Sequence, residues 1–547
     1  MDSVDTKTAQ PARLIADLMG DAARMGEPAA LAKLQQRLQG TPSTFWVAVA
    51  EALLGRELPV AAIHLMDAAR RAFPDDMEVL FTFGAALRLA GDGATAEQVL
   101  THVMSRMPEH DRACLTLALL HRDRGQNSAA AQLLRDLHKR RGGADLTLYV
   151  VDLLRKCRRE RDAMAICEAE LQRAPEHARL QFVAGGLALT LGRFEDARRW
   201  LLAALDRSEP EWGALMPLAL TRKYLDQSDP DLTRFRQAAA SPALSPELRS
   251  AAGFALGKAL DDLGDFAGAA SALTEANRHQ HSLANWSASN WDAFIARQIE
   301  SPPPLFLDEA VDNAIVPIFV VGLPRSGTTL VAELLARHPE AVSRGELPWL
   351  SFVVNSLMSS PAPDVTAMRR AAALYLAQLR QDDPAVRWYV DKNPMNFRFL
   401  GWIIALFPNA RILVCDRDRR DTALSIWSQA FDSVELGFAY DFADIERCIA
   451  GHDVLLKHWL PRLGASVYRV DYERLARSPQ NVVAEIQTFI GMPPSNLLDA
   501  TGASKTTVNT ASVWQVRQPI YSSSIGRAEV YSALLPELLR FPSRPRT

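Results

Sequence analysis

Residues 314–340, AIVPIFVVGLPRSGTTLVAELLARHPE, read as a buried apolar strand, a tight Gly/Pro/Ser loop and a helix opening at about Thr328. A strand, a glycine loop and a helix N-terminus together make an anion cradle, because backbone N–H groups converge there and the helix dipole favours negative charge. Gly322 and Gly327 keep the G-x-x-x-x-G spacing of a nucleotide phosphate loop, yet Thr328 stands where ATPases and GTPases carry Lys. The cation of this loop is Arg325 instead. That points to a nucleotide with fewer 5′ phosphates and no need for Mg²⁺.

A second strand-and-helix pattern, NARILVCDRDRRDTALSIWSQAF, puts Arg417 at a strand end and Ser425 inside the following helix. One rigid guanidinium fork and one hydroxyl form a pincer suited to a terminal phosphate. Taken alone, the cluster Arg411, Arg417, Arg419 and Arg420 reads as a solvated basic face. Beside a phosphate loop it reads as an anion site.

The string GLPRSGTTL, with its helix and HPE, resembles the 5′-phosphosulfate loop of sulfotransferases, in the form found in protein-tyrosine sulfotransferases. The resemblance covers roughly residues 317–530. It implies 3′-phosphoadenosine 5′-phosphosulfate as the sulfate donor, no metal, and Arg325, Ser326, Gly327, Thr328 and Thr329 around the 5′ end. Arg417, Asp418, Arg420 and Ser425 match the 3′-phosphate motif of that family, which carries a further Arg where this chain has Gln429.

Sulfuryl transfer to a hydroxyl needs a base for the acceptor proton and donors that hold the charge developing on oxygen. By the same match, Glu346 in HPEAVSRGELPWL is the catalytic glutamate and Lys392 in RWYVDKNPMNF the lysine that stabilises the transition state. Alone, Glu346 would be a helix N-terminal charge and Lys392 a surface lysine. His338 is the competing base, ranked lower because a His in an HP step after a helix is more often a capping residue. The late segment SVWQVRQPIYSSSIGRAEVY resembles the family's lid over the cofactor, with Ser512 as the transition-state serine and Arg527 where the family has a nucleotide-reaching Lys. Tyr472, in SVYRVDYERLARSP, would approach the adenosine. The scheme implied is that Glu346 takes the acceptor proton, the acceptor oxygen attacks sulfur in line, and Arg325, Lys392 and Ser512 hold the charge of the leaving phosphate.

These residues need a parallel α/β sheet to place them, and short Val/Ile/Phe runs alternating with amphipathic stretches after Ala314 supply that pattern. The N-terminal half is different. Ala62, Ala96, Ala130, Ala163 and Ala197 are separated by 34, 34, 33 and 34 residues, and Gly91 to Gly125 and Pro74 to Pro108 keep the same interval. This is the signature of a helical repeat, each unit a helix, a Gly turn, a second helix around the alanine and a Pro stop. It resembles the tetratricopeptide repeat over residues 43–205, with one more unit at 261–273. Such stacks leave a groove for an extended peptide, so the expected partner is a peptide or protein acceptor held there, with a plain dimerising spacer as the bland alternative and a homodimer left open. His110, Cys114 and His121 lack four-ligand metal spacing. The expected division is a repeat domain at 1–286, a linker at 287–313 carrying Pro302, Pro303 and Pro304, and a sulfotransferase domain at 314–547.

With 547 residues the chain has room for about two to four domains, and 48% apolar with 23% charged residues is globular composition. Lys+Arg of 61 against Asp+Glu of 64 gives a net charge of −3, so no global field draws nucleic acid or a membrane. Five cysteines form no CxxC pair, and the acidic N-terminus lacks a signal-peptide pattern, which sets a cytoplasmic expectation. The expected activity is sulfate transfer to a protein or peptide tyrosine. A sugar or small-molecule hydroxyl, a kinase-like phosphoryl transferase and a non-catalytic repeat scaffold are the alternatives. The family's arginines after the catalytic glutamate are missing here, where LPWLSFVVNSLM stands and the first basic residue is Arg369.

Overall fold

A computed structural model of the chain describes residues 5–360, 362–431, 433–498 and 524–543. It divides into two compact units, residues 1–162 and 163–547. The first is all helix. Its hairpins Met77–Leu89 with Gly93–Arg106, and Asp111–Asp123 with Asn127–Arg141, follow the repeat period. The turn glycines Gly91 and Gly125 have φ of 88° and 76°, the left-handed region that a Cβ disfavours. Asp76 and His110 each cap the first helix of their repeat, accepting from Val79 N and Ala113 N. His110 is therefore a capping residue.

The marked alanines explain the period. Ala62, Ala96 and Ala130 in the first unit, and Ala163, Ala197 and Ala269 in the second, are all fully buried. A second small position accompanies them. A Cβ added at Gly84 would lie 2.9 Å from the Leu100 side chain, at Gly185 2.6 Å from Leu201, and at Gly257 2.5 Å from Leu273. In these three repeats the glycine precedes its leucine by the same sequence offset, so one Gly/Leu contact sets how closely their two helices approach.

The second unit holds the repeat hairpins Ala178–Thr190 with Phe194–Leu205 and Pro246–Asp262 with Phe266–His281, followed by the sheet. Within the segment expected as a linker, Ala288–Glu300 is helical, capped by Ser287, because Trp291, Ile295 and Gln298 make a buried face at helical spacing. The chain then runs without regular secondary structure from 301 to 315, through the three prolines.

The sheet contains β1 (Val316–Gly322), β2 (Ala341–Ser343), β3 (Trp388–Asp391), β4 (Arg411–Asp416) and β5 (Val467–Asp471), all parallel, in the order β2-β3-β1-β4-β5. Both faces of β1 are covered. Ile318 and Val320 pack with Val331, Leu334 and Ile486 on one side, and Phe319 stacks on Tyr375 at 5.7 Å on the other. This is why β1 reads as continuous apolar sequence and not as an alternation. The connections leave β1 toward β2 and β3 on one side and reach β4 and β5 on the other. The crevice at the carboxyl ends of β1 and β4 is thus the switch point of the sheet, where open α/β folds bind ligands. Among the described residues no helix is long and apolar enough to cross a membrane.

Gly257→Val should force the Leu273 contact apart and destabilise the protein by about 1–3 kcal/mol, read as a lower urea midpoint, with Gly264→Ala, where a Cβ meets nothing but φ is +79°, as a strain-only comparison.

Candidate active site

The loop after β1 is shaped by its glycines. At Gly322, φ is 143° and a Cβ would sit 2.4 Å from the Cys415 carbonyl oxygen of β4; at Gly327, φ is 99° and a Cβ would meet the Tyr472 ring at 2.5 Å. Only hydrogen fits at either place. Between them Arg325 takes φ of 67°, a left-handed conformation that disfavours a side chain by about 1–2 kcal/mol. Ser326 is buried and its hydroxyl donates to Leu323 O at 2.7 Å, so in this conformation it closes the loop on itself. Thr328 and Thr329 open the helix Thr328–Leu335, placing first-turn amides at the loop.

Residues from β4 and its helix complete this side. Arg325 Nε donates to Ser425 Oγ at 3.1 Å, joining the two predicted phosphate motifs directly. Arg417 is 6% exposed, donates from Nη1 to Arg325 O at 3.1 Å and from Nη2 to Ser524 O at 2.7 Å, and lies 4.9 Å from the centre of the Tyr472 ring. Among the described residues its buried Nε has no hydrogen-bond partner. The nearby carboxylate of Asp416 is taken up by Arg419 and Arg469, and among the described residues Arg417 has no ion pair. Tyr472 also shares a hydrogen bond with Ser524 Oγ at 2.8 Å.

The other matched residues of this motif do structural work. Asp418 caps the helix Arg419–Trp427, accepting from Arg420 N and Asp421 N at 3.0 Å. Arg420 donates to Phe541 O. Gln429 turns onto Ser428 O at 3.2 Å.

On the other side of β1, the β2–β3 pairing brings Glu346 to Lys392. Lys392 Nζ forms an ion pair with Glu346 Oε1, its side chain 3% exposed while that of Glu346 is 45% exposed, and Lys392 N donates to Gly345 O at 2.9 Å. A sequestered ammonium thus meets a carboxylate open to solvent. Beneath the pair lies Asp391, fully buried, a residue the sequence reading passed over although it directly precedes Lys392 at a strand end. Burial pushes its carboxyl up to about 7, against the Tyr375 hydroxyl, the Leu347 amide and Lys392, which hold it down. His338 is not in this group. Its Nδ1 accepts from Glu340 N at 3.2 Å, closing the turn before β2, its ring stands edge-on to Trp388 at 5.3 Å, and burial lowers its pKa.

Ser512 lies outside the described residues. Arg527 pairs with Asp261, at the end of the repeat helix Pro246–Asp262, and Tyr531 donates its hydroxyl to the same carboxylate. Asp421, buried, accepts from Gly526 N at 2.6 Å and Ala528 N at 2.8 Å. These two aspartates, neither evident from motif spacing, anchor the segment whose Ser524 touches Arg417 and Tyr472.

Residues 317–496 match the family model described as the sulfotransferase family, and residues 87–145 that of the tetratricopeptide repeat. The chain therefore carries a sulfotransferase-family domain after a tetratricopeptide-repeat region. It is similar to an uncharacterised protein of Aquifex aeolicus (strain VF5), 31% identical over 319 residues, which is 54% of this chain and 41% of that one. It is also similar to a protein-tyrosine sulfotransferase of Drosophila melanogaster, 29% identical over 194 residues, 32% of this chain and 38% of that one. The chain thus spans about two fifths of the length of either relative. Among solved structures, the sulfotransferase domain of the Synechococcus PCC 7002 olefin synthase aligns over 43% of this chain and 94% of its own, at 20% identity and a TM-score of 0.30.

Asp421→Ala leaves the amides of Gly526 and Ala528 without their acceptor, a loss of about 1–3 kcal/mol. The peptide spanning 524–531 should then exchange its amide hydrogens faster than in the wild type, while peptides from the first unit stay unchanged.

Proposed function

We propose that the protein transfers a sulfuryl group from 3′-phosphoadenosine 5′-phosphosulfate to a hydroxyl, with a protein or peptide tyrosine as acceptor. Arg417 supports the donor most directly. A guanidinium withdrawn from water, met by two carbonyl oxygens and, among the described residues, with its Nε unpartnered and no ion pair, suits an anion. The loop fits a nucleotide with a single 5′ phosphate, since its cation is Arg325 and Thr328 replaces the Lys that would clamp further phosphates. Arg325, Thr328, Thr329 and the Ser326 and Gly327 amides would hold the 5′ end, Arg417 and Ser425 the 3′ phosphate, and Tyr472 the adenosine side. When bound, the nucleotide supplies a sulfuryl group activated by its phosphate leaving group.

The residues of the chain divide the remaining work. Glu346 is the exposed carboxylate, placed to accept the proton of an incoming hydroxyl at Oε1 or Oε2. Lys392 and Arg325 carry fixed positive charge on the opposite sides of the same strand end, where negative charge develops as the leaving group departs. Burial makes Lys392 the stronger of the two, because little solvent screens it.

The likeness to the Drosophila protein-tyrosine sulfotransferase supports a tyrosine acceptor, and the repeat region supports a polypeptide carrying it. The helix Trp349–Met358, which follows Glu346, holds no charged residue and exposes Phe352 beside Trp349 at 5.5 Å. It offers nothing to an acidic sequence, so the tyrosine proposed is one in a neutral or apolar stretch. Label from a radiolabelled sulfate donor should appear on such peptides in preference to sugars or small phenols.

Glu346→Ala and Lys392→Ala should each lower turnover by at least about a hundredfold with nearly unchanged affinity for adenosine 3′,5′-bisphosphate, and Arg417→Ala should weaken that affinity, measured by calorimetry. In a thermal-shift assay, adenosine 3′,5′-bisphosphate without magnesium should stabilise the wild type. Stabilisation only by ATP with magnesium would favour phosphoryl transfer and overturn the reading.

A further inference from the structure

Asp391 has no part in the scheme above, yet it is the most constrained ionisable group beside the reacting pair. Three elements converge on it. Tyr375, from the helix Val365–Arg380, donates its hydroxyl to Oδ2 at 2.6 Å, and Asn396 Nδ2, from the turn after β3, donates to the same oxygen at 2.9 Å. Oδ1 accepts the amide of Leu347 at 3.3 Å, the residue that follows Glu346. Lys392, its neighbour in sequence, and Glu346 are the charged groups within electrostatic reach, one attracting and one repelling the carboxylate.

All three partners donate. An ionised carboxylate can accept every one of these bonds, whereas a protonated one must direct its own O–H at a donor. A proton on Oδ1 would oppose the Leu347 N–H and release the backbone that holds Glu346. A proton on Oδ2 would reverse the Tyr375 bond and leave the Asn396 amide to compete for the same oxygen. We propose that Asp391 is a positioning residue for the transfer reaction, whose ionised carboxylate ties the Glu346 backbone to the strand end bearing Lys392 and so fixes the base against the cation. The proposal rests on the sulfuryl-transfer reading for its consequence in turnover, but its structural half does not.

With the carboxyl pushed up to about 7, the tie forms as pH rises through neutrality and weakens below it. The groups facing Asp391 are Tyr375 and Asn396, Lys392 on its own strand end, and Glu346 with Leu347 from the loop after β2. Tyr375 is held well above its ordinary value by its own burial and by Asp391, and so stays a donor throughout this range.

The test compares wild type with Asp391→Asn and Tyr375→Phe. Amide exchange of a peptide spanning 345–350, corrected for intrinsic rates, should slow in the wild type between pH 6 and pH 8 and show no such step in Asp391→Asn. Turnover should fall by roughly ten- to a hundredfold in Asp391→Asn, with the KM for the nucleotide within about twofold, because base and cation are displaced and the anion cradle is not. The wild-type rise of kcat near pH 7 should be absent from Asp391→Asn and move to higher pH in Tyr375→Phe, which removes a bond that stabilises the charged form. Exchange and pH profiles of Asp391→Asn that coincide with those of the wild type would overturn the proposal. So would a Tyr375→Phe limb that does not move. Failure of adenosine 3′,5′-bisphosphate to bind the wild type would count against the sulfuryl-transfer reading alone, and the exchange arm would still decide the role of Asp391.

Discussion

The site depends on a positive charge held out of water at the carboxyl end of β4. Burying a guanidinium carries a desolvation penalty of several kcal/mol, and carbonyl oxygens offset only part of it. For Arg417 those oxygens come from Arg325 in the loop after β1 and from Ser524 near the C-terminus. The first contact exists only because β1 and β4 are adjacent and parallel, with Gly322 opposite Cys415, and because Gly322 has no Cβ to strike the Cys415 carbonyl. Under the proposed function, an anion bound there would relieve part of the penalty that remains among the described residues.

The sheet then acts as a ruler. Strands β3 and β4 flank β1 on opposite sides, each about 4.8 Å away, so Lys392 and Arg417 leave the sheet roughly 10 Å apart at backbone level. The loop after β1 opens between them. One side gathers Arg417, Ser425 and Tyr472, the proposed nucleotide side; the other gathers Glu346 and Lys392, the proposed base and cation, over the buried Asp391. A parallel sheet makes this division natural, because all strand ends that carry these residues point to one edge.

Within the second unit the last repeat hairpin meets the sheet part at several places, among them Asn277 Nδ2 donating to Trp427 O at 2.9 Å at the end of the helix that carries Ser425. Asp261, the penultimate residue of a repeat helix, holds Arg527 and Tyr531, and Asp421 holds the amides of Gly526 and Ala528 on either side of Arg527. The last repeat hairpin is therefore a support for the segment that touches Arg417 and Tyr472. Arg527, matched by sequence to a nucleotide-reaching Lys, serves in this conformation as that anchor.

The amino-acid sequence by itself determined what is local or periodic. The 34-residue recurrence of alanine required helices at close approach, the continuous apolar run before Gly322 required a strand buried on both faces, and the glycine spacing required a tight loop ending in a helix. Arg325, Arg417 and Ser425 were legible because each sits within a few residues of a strand end or glycine loop, whereas Glu346 and Lys392 stood out only by resemblance to a family motif. Tertiary structure alone decided what depends on partners far along the chain. Asp418 and Arg420, identical in type to the motif, became a helix cap and a tie to Phe541, and Arg527 met Asp261 across 266 residues. Asp391 became conspicuous only when Tyr375, Asn396 and Leu347 closed around it. The reason is physical: backbone propensity and side-chain period act over a few residues, whereas burial, and with it the value of a charge or hydrogen bond, is set by whichever elements the fold packs against it.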